Sequence, residues 1–278
     1  MDLQFDHIIH YMDQPEQGME ELNKCGIHAV DGGSHEKRGS YNTLSYFGLS
    51  YIELLGINNK EIFTSSGAAK LAYSPFESIA KDNFREGFAK INLRTKNLEQ
   101  LKRKLTNHGI KTNGPIPLSR RKPDGTLLEW ELLYAGGHPG ELPLPFFIDW
   151  GVSDEERCES LKQDGTIAAH PAGNLSLTSI LFVVKDAKET AALWRTLFEL
   201  EQGKAYLDDE LHAECYPLKL GEVTFIFASP TGVGDISRAL AEKGEHPYLV
   251  TIEGADESSA FNLFGARYQL NLSNSQKN

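Results

Sequence analysis

The sequence predicts an α+β fold in which β-α-β-β-β units repeat and pair into curved mixed sheets. Two observations lead to this prediction. A short apolar strand followed by an amphipathic helix occurs three times along the chain, and each helix is followed by strand-like runs of alternating polar and apolar residues. Such a unit places its helix on one face of a small sheet. Two units joined edge to edge form a cup whose cavity lies on the side away from the helices.

The first unit begins with residues 5–12, a short apolar run bounded by turn formers, which predicts a strand. Pro15 falls in the first turn of the predicted helix that follows, and Gly26 is placed to end it. Two strand-like runs come next, at 41–47 and 51–57.

The later units repeat this order. The second consists of a strand at 88–95, a helix that ends at Gly109, and strands at 126–135 and 146–150. The third consists of a strand at 177–184, a helix that begins with an Asp186–Glu189 capping box, and strands at 213–220 and 223–228. A fourth, shorter copy has a strand at 248–253, residues 256–264 at the helix position, and a last strand at 267–272.

The units predict two domains. Residues 1–151 hold the first two units and the candidate site, and residues 175–278 hold one full and one partial unit. The polar segment 152–174 is the predicted linker. An insertion at 58–86 separates the first two units and is predicted to carry its own helix near 67–81.

Composition limits the classes of partner and compartment. The chain has 278 residues and a formal net charge of −11, which argues against binding to a nucleic-acid backbone. No apolar run approaches the ~20 residues of a membrane helix, and the N-terminus lacks the features of a signal peptide. Its three cysteines are far apart and suggest no disulfide framework. These features predict a cytoplasmic protein without membrane partners, and exposed sheet edges favour a homodimer.

Strand alternation selects the candidate site residues. His7 shares a strand face with apolar neighbours, and Glu53 lies in the middle of an apolar strand, where a carboxylate is costly unless it is paired or coordinating. Asp149 is likewise a carboxylate in an apolar strand, at the end of the second unit. A histidine and two carboxylates on facing strands suit a divalent metal and equally suit acid–base chemistry. A salt bridge from Glu53 to Lys90 is the structural alternative.

Several motifs resemble one known group of proteins. They are the Asp6-His7 opening, Gly32-Gly33-Ser34-His35 followed by Gly39 and Asn42, Tyr51-Ile52-Glu53-Leu54, Arg121-Lys122-Pro123-Asp124-Gly125 with Trp130, and Pro145-Phe146-Phe147-Ile148-Asp149-Trp150. Together with the repeats, they resemble the vicinal oxygen chelate superfamily, which has the glyoxalase/bleomycin resistance/dioxygenase fold. Within it, the closer resemblance is to the glyoxalase-like domain family of bacterial proteins. The likeness is strong over residues 3–151 and topological over 175–272.

The resemblance implies a set of site residues. The superfamily's metal-ligand positions correspond to His7, Glu53, Lys90 and Asp149. An ammonium offers no lone pair unless it is deprotonated, so the implied metal site reduces to His7, Glu53 and Asp149 around one divalent ion. Alternatively, Lys90 neutralises a carboxylate or binds an anionic ligand, and no metal is held. Glu53 and Asp149 are the implied catalytic residues. The implied ligand-binding residues are His35, Asn42, Lys90, Arg121, Trp130 and Trp150.

The implied function is recognition of a small polar metabolite in the N-terminal cup. As an enzyme, the protein would be a metal-dependent lyase, isomerase or dioxygenase. The rival interpretation is a metal-free protein that binds or sequesters a small molecule, as bleomycin-resistance proteins do. A third is an assembly protein with a vestigial cavity. The C-terminal units carry no comparable residues, which favours a structural or association role for them.

Overall fold

The computed structural model describes residues 2–121, 127–138 and 140–272. Within these ranges the chain forms two mixed β-sheets of eight strands each, with helices packed against them. The prediction of an α+β fold with curved mixed sheets is confirmed. No helix among the described residues has the length and apolar character needed to span a membrane.

The first sheet contains the first two repeats. Its strands are β1 (Gln4–Tyr11), β2 (Val30–His35), β3 (Ser40–Phe47), β4 (Ser50–Ile57), β5 (Gly87–Arg94), β6 (Lys111–Arg121), β7 (Leu127–Gly136) and β8 (Phe146–Asp149). Their order is β2-β3-β4-β1-β5-β8-β7-β6. The strands β1 and β5 are antiparallel neighbours at the centre, and each runs parallel to the last strand of its own unit. The two halves of the sheet are therefore related by an approximate two-fold axis.

The second sheet contains the third unit and the shorter fourth one. Its strands are β9 (Gly173–Val183), β10 (Glu201–Gln202), β11 (Tyr206–Asp208), β12 (Ala213–Leu220), β13 (Val223–Pro230), β14 (His246–Ala255), β15 (Ser259–Leu263) and β16 (Ala266–Leu272). The central strands β9 and β14 are antiparallel, as β1 and β5 are in the first sheet.

Seven α-helices accompany the sheets in the part of the chain that the structure describes. They are α1 (Pro15–Lys24), α2 (Lys60–Ser65), α3 (Pro75–Lys81), α4 (Leu98–Asn107), α5 (Asp154–Gln163), α6 (Ala187–Phe198) and α7 (Asp235–Lys243). The repeat helices α1, α4 and α6 lie where the sequence predicts them. The single helix predicted near 67–81 is instead a short 3-10 turn followed by α3.

The fourth unit differs from the prediction. Residues 256–264 contain the strand β15 instead of a helix, and α7 precedes β14 without having been predicted. The reason lies in the turn between β15 and β16. Phe264 and Gly265 both have positive φ, at 39° and 76°, and Leu263 pairs with Ala266 across them. A two-residue turn of this kind joins antiparallel strands and leaves no room for a helix.

The insertion between the first two units covers part of the concave face of the first sheet. Phe63 and Phe76 come from α2 and α3 and pack with Tyr11, Tyr134 and other apolar residues of that face. The edges of the same sheet also meet, because Arg120 on β6 donates a hydrogen bond to the carbonyl of Gly32 on β2. The first sheet is thus strongly curled around its concave face.

The segment proposed as a linker, 152–174, packs closely against the first sheet. It contains α5, and the side chain of Arg157 on that helix is buried. Beyond α5, the amide of Ala172 donates to the carbonyl of Gly26 at 2.9 Å. The two sheets also share one apolar core, in which Phe5 contacts Phe225.

Candidate functional site

The centre of the candidate site is the first strand. A shift in the β1–β5 register between Phe5 and His7 interrupts the ladder at Asp6. Such a bulge changes the direction of the side chains around it. As a result, the neighbouring side chains of Asp6 and His7 meet, with Asp6 Oδ1 at 2.8 Å from His7 Nδ1.

Asp6 is fully buried and satisfied by three partners. Its Oδ2 accepts hydrogen bonds from Trp150 Nε1 at 2.9 Å and from Arg157 at 3.1 Å. Burial alone would raise the pKa of Asp6, but the guanidinium of Arg157 and the bonds from His7 and Trp150 outweigh it and lower the pKa to about 2. Asp6 is therefore an ionised anchor and not a group that exchanges protons near neutral pH.

Arg157 completes this buried network from α5. Its guanidinium lies 4.1 Å from the ring centroid of Trp150 and within hydrogen-bonding distance of the Tyr46 hydroxyl. Stacking on an indole and pairing with a carboxylate are both favourable for a desolvated guanidinium. The network joins a helix from the 152–174 segment to the floor of the cup.

His7 connects the buried anchor to a partly exposed carboxylate. Its Nε2 lies 3.4 Å from Glu53 Oε2, and the Glu53 side chain is 13% exposed. Asn42 holds the other oxygen of Glu53, with Nδ2 donating at 2.6 Å. Since His7 Nδ1 donates to the ionised Asp6, a hydrogen bond between His7 Nε2 and Glu53 needs one further proton. An imidazole nitrogen and a carboxylate oxygen thus lie side by side, which is an arrangement that acid–base chemistry can use.

Aromatic side chains surround these polar groups. The His7 ring lies 4.6 Å from the Tyr51 ring and 5.4 Å from the Phe146 ring. Toward the rim, Trp130 lies 6.0 Å from Trp150 and 6.4 Å from His35. Burial lowers the pKa of His35. The charge of Glu53 opposes this change, and the positive charges of Arg120 and Arg38 add to it. The rim therefore combines aromatic surface with a neutral imidazole and two nearby guanidinium groups.

The structure brings most of the predicted site residues into this cluster. His7, Glu53, Asn42, His35, Trp130 and Trp150 all belong to it. Arg121 ends β6, and its side chain lies outside the described part of the structure.

Asp149 does not join the cluster. Phe146 and Ile148 pack into the concave face, whereas Phe147 packs into the core beneath the helices, so alternation turns Asp149 away from the cup. Its Oδ1 instead accepts the amide of Gly151 at 2.9 Å and forms the turn after β8.

Lys90 is also apart from Glu53. Its side chain is buried, and Nζ donates to the carbonyl of Tyr73 in the insertion. The alternative of a Glu53–Lys90 salt bridge is therefore not what the structure shows.

Strand register allows a test of the superfamily's metal centre. Ile9 on β1 pairs with Glu53, and Asn92, its equivalent on β5, pairs with Phe146. The four symmetric positions are thus His7, Glu53, Lys90 and Phe146, of which only the first two offer a suitable ligand atom. Across the described ranges, no group of three or more His, Cys, Asp or Glu side chains is arranged to hold a metal ion. The residues present do not fit a four-ligand centre.

Sequence reasoning missed Asp6, Arg157, Tyr46 and Tyr51 as site residues. The Asp6-His7 doublet was visible, but strand alternation predicts opposite faces for the two side chains, and only the bulge brings them together. Arg157 is 151 positions away from Asp6, in a polar segment that gave no signal of burial.

The comparisons with known proteins agree with this description. The model of the glyoxalase-like domain family matches residues 5–198. A hypothetical protein from Staphylococcus aureus is 26% identical with a TM-score of 0.79, covering 97% of this chain and 99% of that one. A mutant of 4-hydroxymandelate synthase from Streptomyces coelicolor has a TM-score of 0.57 at 12% identity, covering 91% of this chain and 71% of that one, and shows the shared fold. No curated protein matches the chain.

The family match spans more than half of the chain, and the paired β-α-β-β-β units agree with it. The chain therefore belongs to the glyoxalase-like domain family of the vicinal oxygen chelate superfamily.

Proposed function

We propose that the N-terminal cup binds a small polar metabolite through Glu53, without the metal centre of the superfamily. The observation that carries this proposal is the state of the Glu53 carboxylate. Asn42 donates a hydrogen bond to it and His7 Nε2 lies 3.4 Å away, yet it is still partly exposed on a concave, mostly apolar face. A fixed carboxylate among aromatic rings is typical of a ligand site with few, well-placed polar groups.

The surroundings indicate the kind of ligand. Glu53 suits a hydroxyl or amine group that donates a hydrogen bond, and the rings of Trp130 and Trp150 suit an apolar or planar portion of the same molecule. The guanidinium groups of Arg120 and Arg38 are close enough to His35 at the rim to lower its pKa. They would favour a ligand that also carries a hydrogen-bond acceptor.

A second candidate function is proton-transfer catalysis, and the position of His7 favours it. The imidazole lies between the ionised Asp6 and Glu53. In such an enzyme, Glu53 would take a proton from a bound substrate and return it at a neighbouring atom, while His7 holds the carboxylate and Asp6 stabilises the imidazolium form. This is the chemistry of an isomerase; in a lyase, the proton would instead go to a group that leaves as its bond to the substrate breaks.

A ligand screen with two variants tests the proposal. Thermal shift over a set of polar metabolites identifies binders of the wild type, and calorimetric titration then measures their affinities for Glu53→Gln and for Glu129→Gln. Glu129 lies exposed on β7 and serves as the matched control. We expect Glu53→Gln to weaken binding at least about tenfold, because a charged acceptor is lost, and Glu129→Gln to leave it unchanged. Equal affinity for both variants would contradict the role of Glu53.

Two further measurements separate the alternatives. Hydrogen–deuterium exchange of the bound ligand, followed by NMR, distinguishes the enzyme from the binding protein. Exchange that stops in His7→Gln while binding persists would establish catalysis. Metal content of protein purified without chelators is expected to be well below one ion per chain. Near-stoichiometric metal that is lost in Glu53→Gln would overturn the metal-free part of the proposal.

A further inference from the structure

A second cavity lies on the other half of the first sheet. It has a volume of about 390 Å³ and is lined by residues of α3, β5, the segment after β7, and the turn between α7 and β14. Lys90 on β5 and His138 after β7 lie in its wall, and Lys243 and Glu245 approach from the second sheet. None of its lining residues belongs to the Asp6–His7–Glu53 cluster.

Lys90 is the unusual group in this cavity. It lies on a central strand and is 3% exposed. Among the described residues, its Nζ has one hydrogen-bond acceptor, the carbonyl of Tyr73, although an ammonium has three donors. Glu77 is the carboxylate whose charge acts on the pKa of Lys90. It already accepts a hydrogen bond from the Tyr73 amide at 2.7 Å and forms an ion pair with Lys81 at 3.1 Å. Within the described ranges, Lys90 therefore has no carboxylate partner of its own.

This environment favours the neutral amine. Burial lowers the pKa of Lys90 to about 7, Glu77 opposes the change, and the positive charge of Lys81 adds to it. Near neutral pH a large fraction of Lys90 thus carries a free lone pair. A desolvated lysine beside another cation is the arrangement that activates amine nucleophiles.

The other charged groups of the cavity are largely paired with one another. Lys243 binds Asp82 at 3.2 Å, and Arg85 lies 3.7 Å from the same carboxylate. Glu245 accepts the amides of Leu142 and Lys185. Burial lowers the pKa of His246 to about 4, so this ring is neutral at pH 7.

His138 is the second group without a complete set of partners. Its Nδ1 is buried and has no hydrogen-bond partner within the described residues. Burial lowers the pKa of this ring and the charge of Lys90 lowers it further, whereas a hydrogen bond with the Leu142 backbone and the charge of Glu245 oppose the change. Lys90 and His138 line the same cavity, so a neutral imidazole, a group able to take up a proton, faces the same space as the amine.

We propose that Lys90 is a nucleophile that forms a Schiff base with a small aldehyde or ketone bound in this cavity. The lone pair of Nζ attacks the carbonyl carbon, a C–N bond forms, and the carbonyl π electrons move to oxygen. A proton passes from nitrogen to that oxygen to give a carbinolamine. Loss of the protonated hydroxyl group as water leaves the imine. His138 carries the protons in both transfers. The net change is amine plus carbonyl to imine plus water, and no other reactant is needed.

Reductive trapping on the intact chain tests this directly. The wild type is incubated with glyoxylate and sodium cyanoborohydride from pH 6 to pH 10, and each lysine is followed by peptide mass spectrometry. At pH 7 we expect Lys90 to be modified roughly tenfold or more faster than Lys24, an exposed lysine whose pKa is raised by Glu21. The difference in modification rate between Lys90 and Lys24 should disappear as the pH approaches the ordinary pKa of lysine.

Variants complete the test. Lys90→Arg should remove the adduct at this position and leave the other lysines unchanged. His138→Asn should slow trapping at Lys90 without moving its pH midpoint. Glu53→Gln should not affect trapping, because this inference does not rest on the ligand proposed for the other site. An unmodified Lys90, or one whose pH profile matches that of Lys24, would overturn the proposal.

Discussion

Asp6 and Arg157 form the buried ion pair beneath the candidate site. Asp6 is fully buried and Arg157 is 7% exposed. Removing one partner of such a pair leaves the other charge desolvated and uncompensated, which usually costs more than the pair itself contributes. The stability of the cup therefore depends on this contact as much as on the surrounding apolar packing.

Neutralising Asp6 is predicted to destabilise the fold strongly. In Asp6→Asn, Arg157 keeps its position against Trp150 but loses its counter-charge, so we expect the free energy of unfolding to fall by about 3 to 5 kcal/mol. Urea denaturation measures the loss. The matched control is Glu21→Gln, which removes an exposed pair with Lys24 and should leave the free energy of unfolding almost unchanged.

The pH dependence of the same variant provides a check. The pKa of Asp6 in the folded chain, about 2, lies below the ordinary value of 3.8. The stability that this carboxylate provides is therefore present above pH 4 and is lost as the pH falls from about 4 to about 2. The difference between wild type and Asp6→Asn should shrink over that interval. A small effect of Asp6→Asn that does not depend on pH would contradict the role given to the pair.

At the scale of single elements, α5 shows how a polar segment can carry a structural role. Ser153 and Glu156 form a capping box, in which Ser153 Oγ accepts the Glu156 amide at 3.1 Å and Glu156 accepts the Ser153 amide at 2.9 Å. The helix has a single buried residue, Arg157. Its position thus depends on its cap and on two ion pairs, Arg157 with Asp6 and Asp154 with Arg94.

Removing the cap is predicted to weaken the whole network. In Ser153→Ala the amide of Glu156 loses its acceptor, and we expect a loss of about 1 kcal/mol in the free energy of unfolding. Ser153→Thr keeps the hydroxyl group and should retain most of that stability. Urea denaturation of the three proteins measures both effects. Equal losses in Ala and Thr variants would show that packing, and not the cap, matters at this position.

The repeated elements were predictable from the sequence because they depend on local patterns. Strand alternation selected His7 and Glu53, and helix signals located the repeat helices: start signals for α1 and α6, and a glycine end signal for α4. Features that depend on register could not be predicted in this way. The bulge at Asp6 and the β15–β16 hairpin each change the outcome of a simple alternation or repeat rule. The β5–β8 register places Phe146, and not Asp149, at the position equivalent to Glu53. Contacts between distant segments, such as Arg157 with Asp6, have no local signal.

At the scale of the whole molecule, the two sheets are joined through buried contacts. Phe147 of the first sheet meets Phe198 of α6, and His10 on β1 bonds to Tyr268 on β16. His10 is fully buried, with Nδ1 at 2.8 Å from the Tyr268 hydroxyl and Nε2 at 3.1 Å from the carbonyl of Phe264. These partners suit a neutral ring that donates from Nε2 and accepts at Nδ1.

The buried, neutral His10 is predicted to make the fold less stable at mildly acidic pH. Burial lowers the pKa of His10 to about 4, against an ordinary value of 6.5, with a smaller lowering by Lys243 and an opposing effect of the Phe264 carbonyl. Because the folded value is the lower one, the unfolded chain takes up the proton first as the pH falls. His10 should therefore remove about 3 kcal/mol of stability between pH 6.5 and pH 4.

Urea denaturation at pH 7, 6, 5 and 4 tests this with two variants. His10→Gln keeps an acceptor and a donor but cannot titrate, so its stability should fall less steeply than that of the wild type over this range. His108→Gln, at the exposed end of α4, replaces a ring that is solvated in both states and should follow the wild type. If His10→Gln shows the wild-type slope, acid sensitivity resides elsewhere, and His246 at the start of β14 becomes the group to replace next, because burial lowers its pKa to about 4 as well.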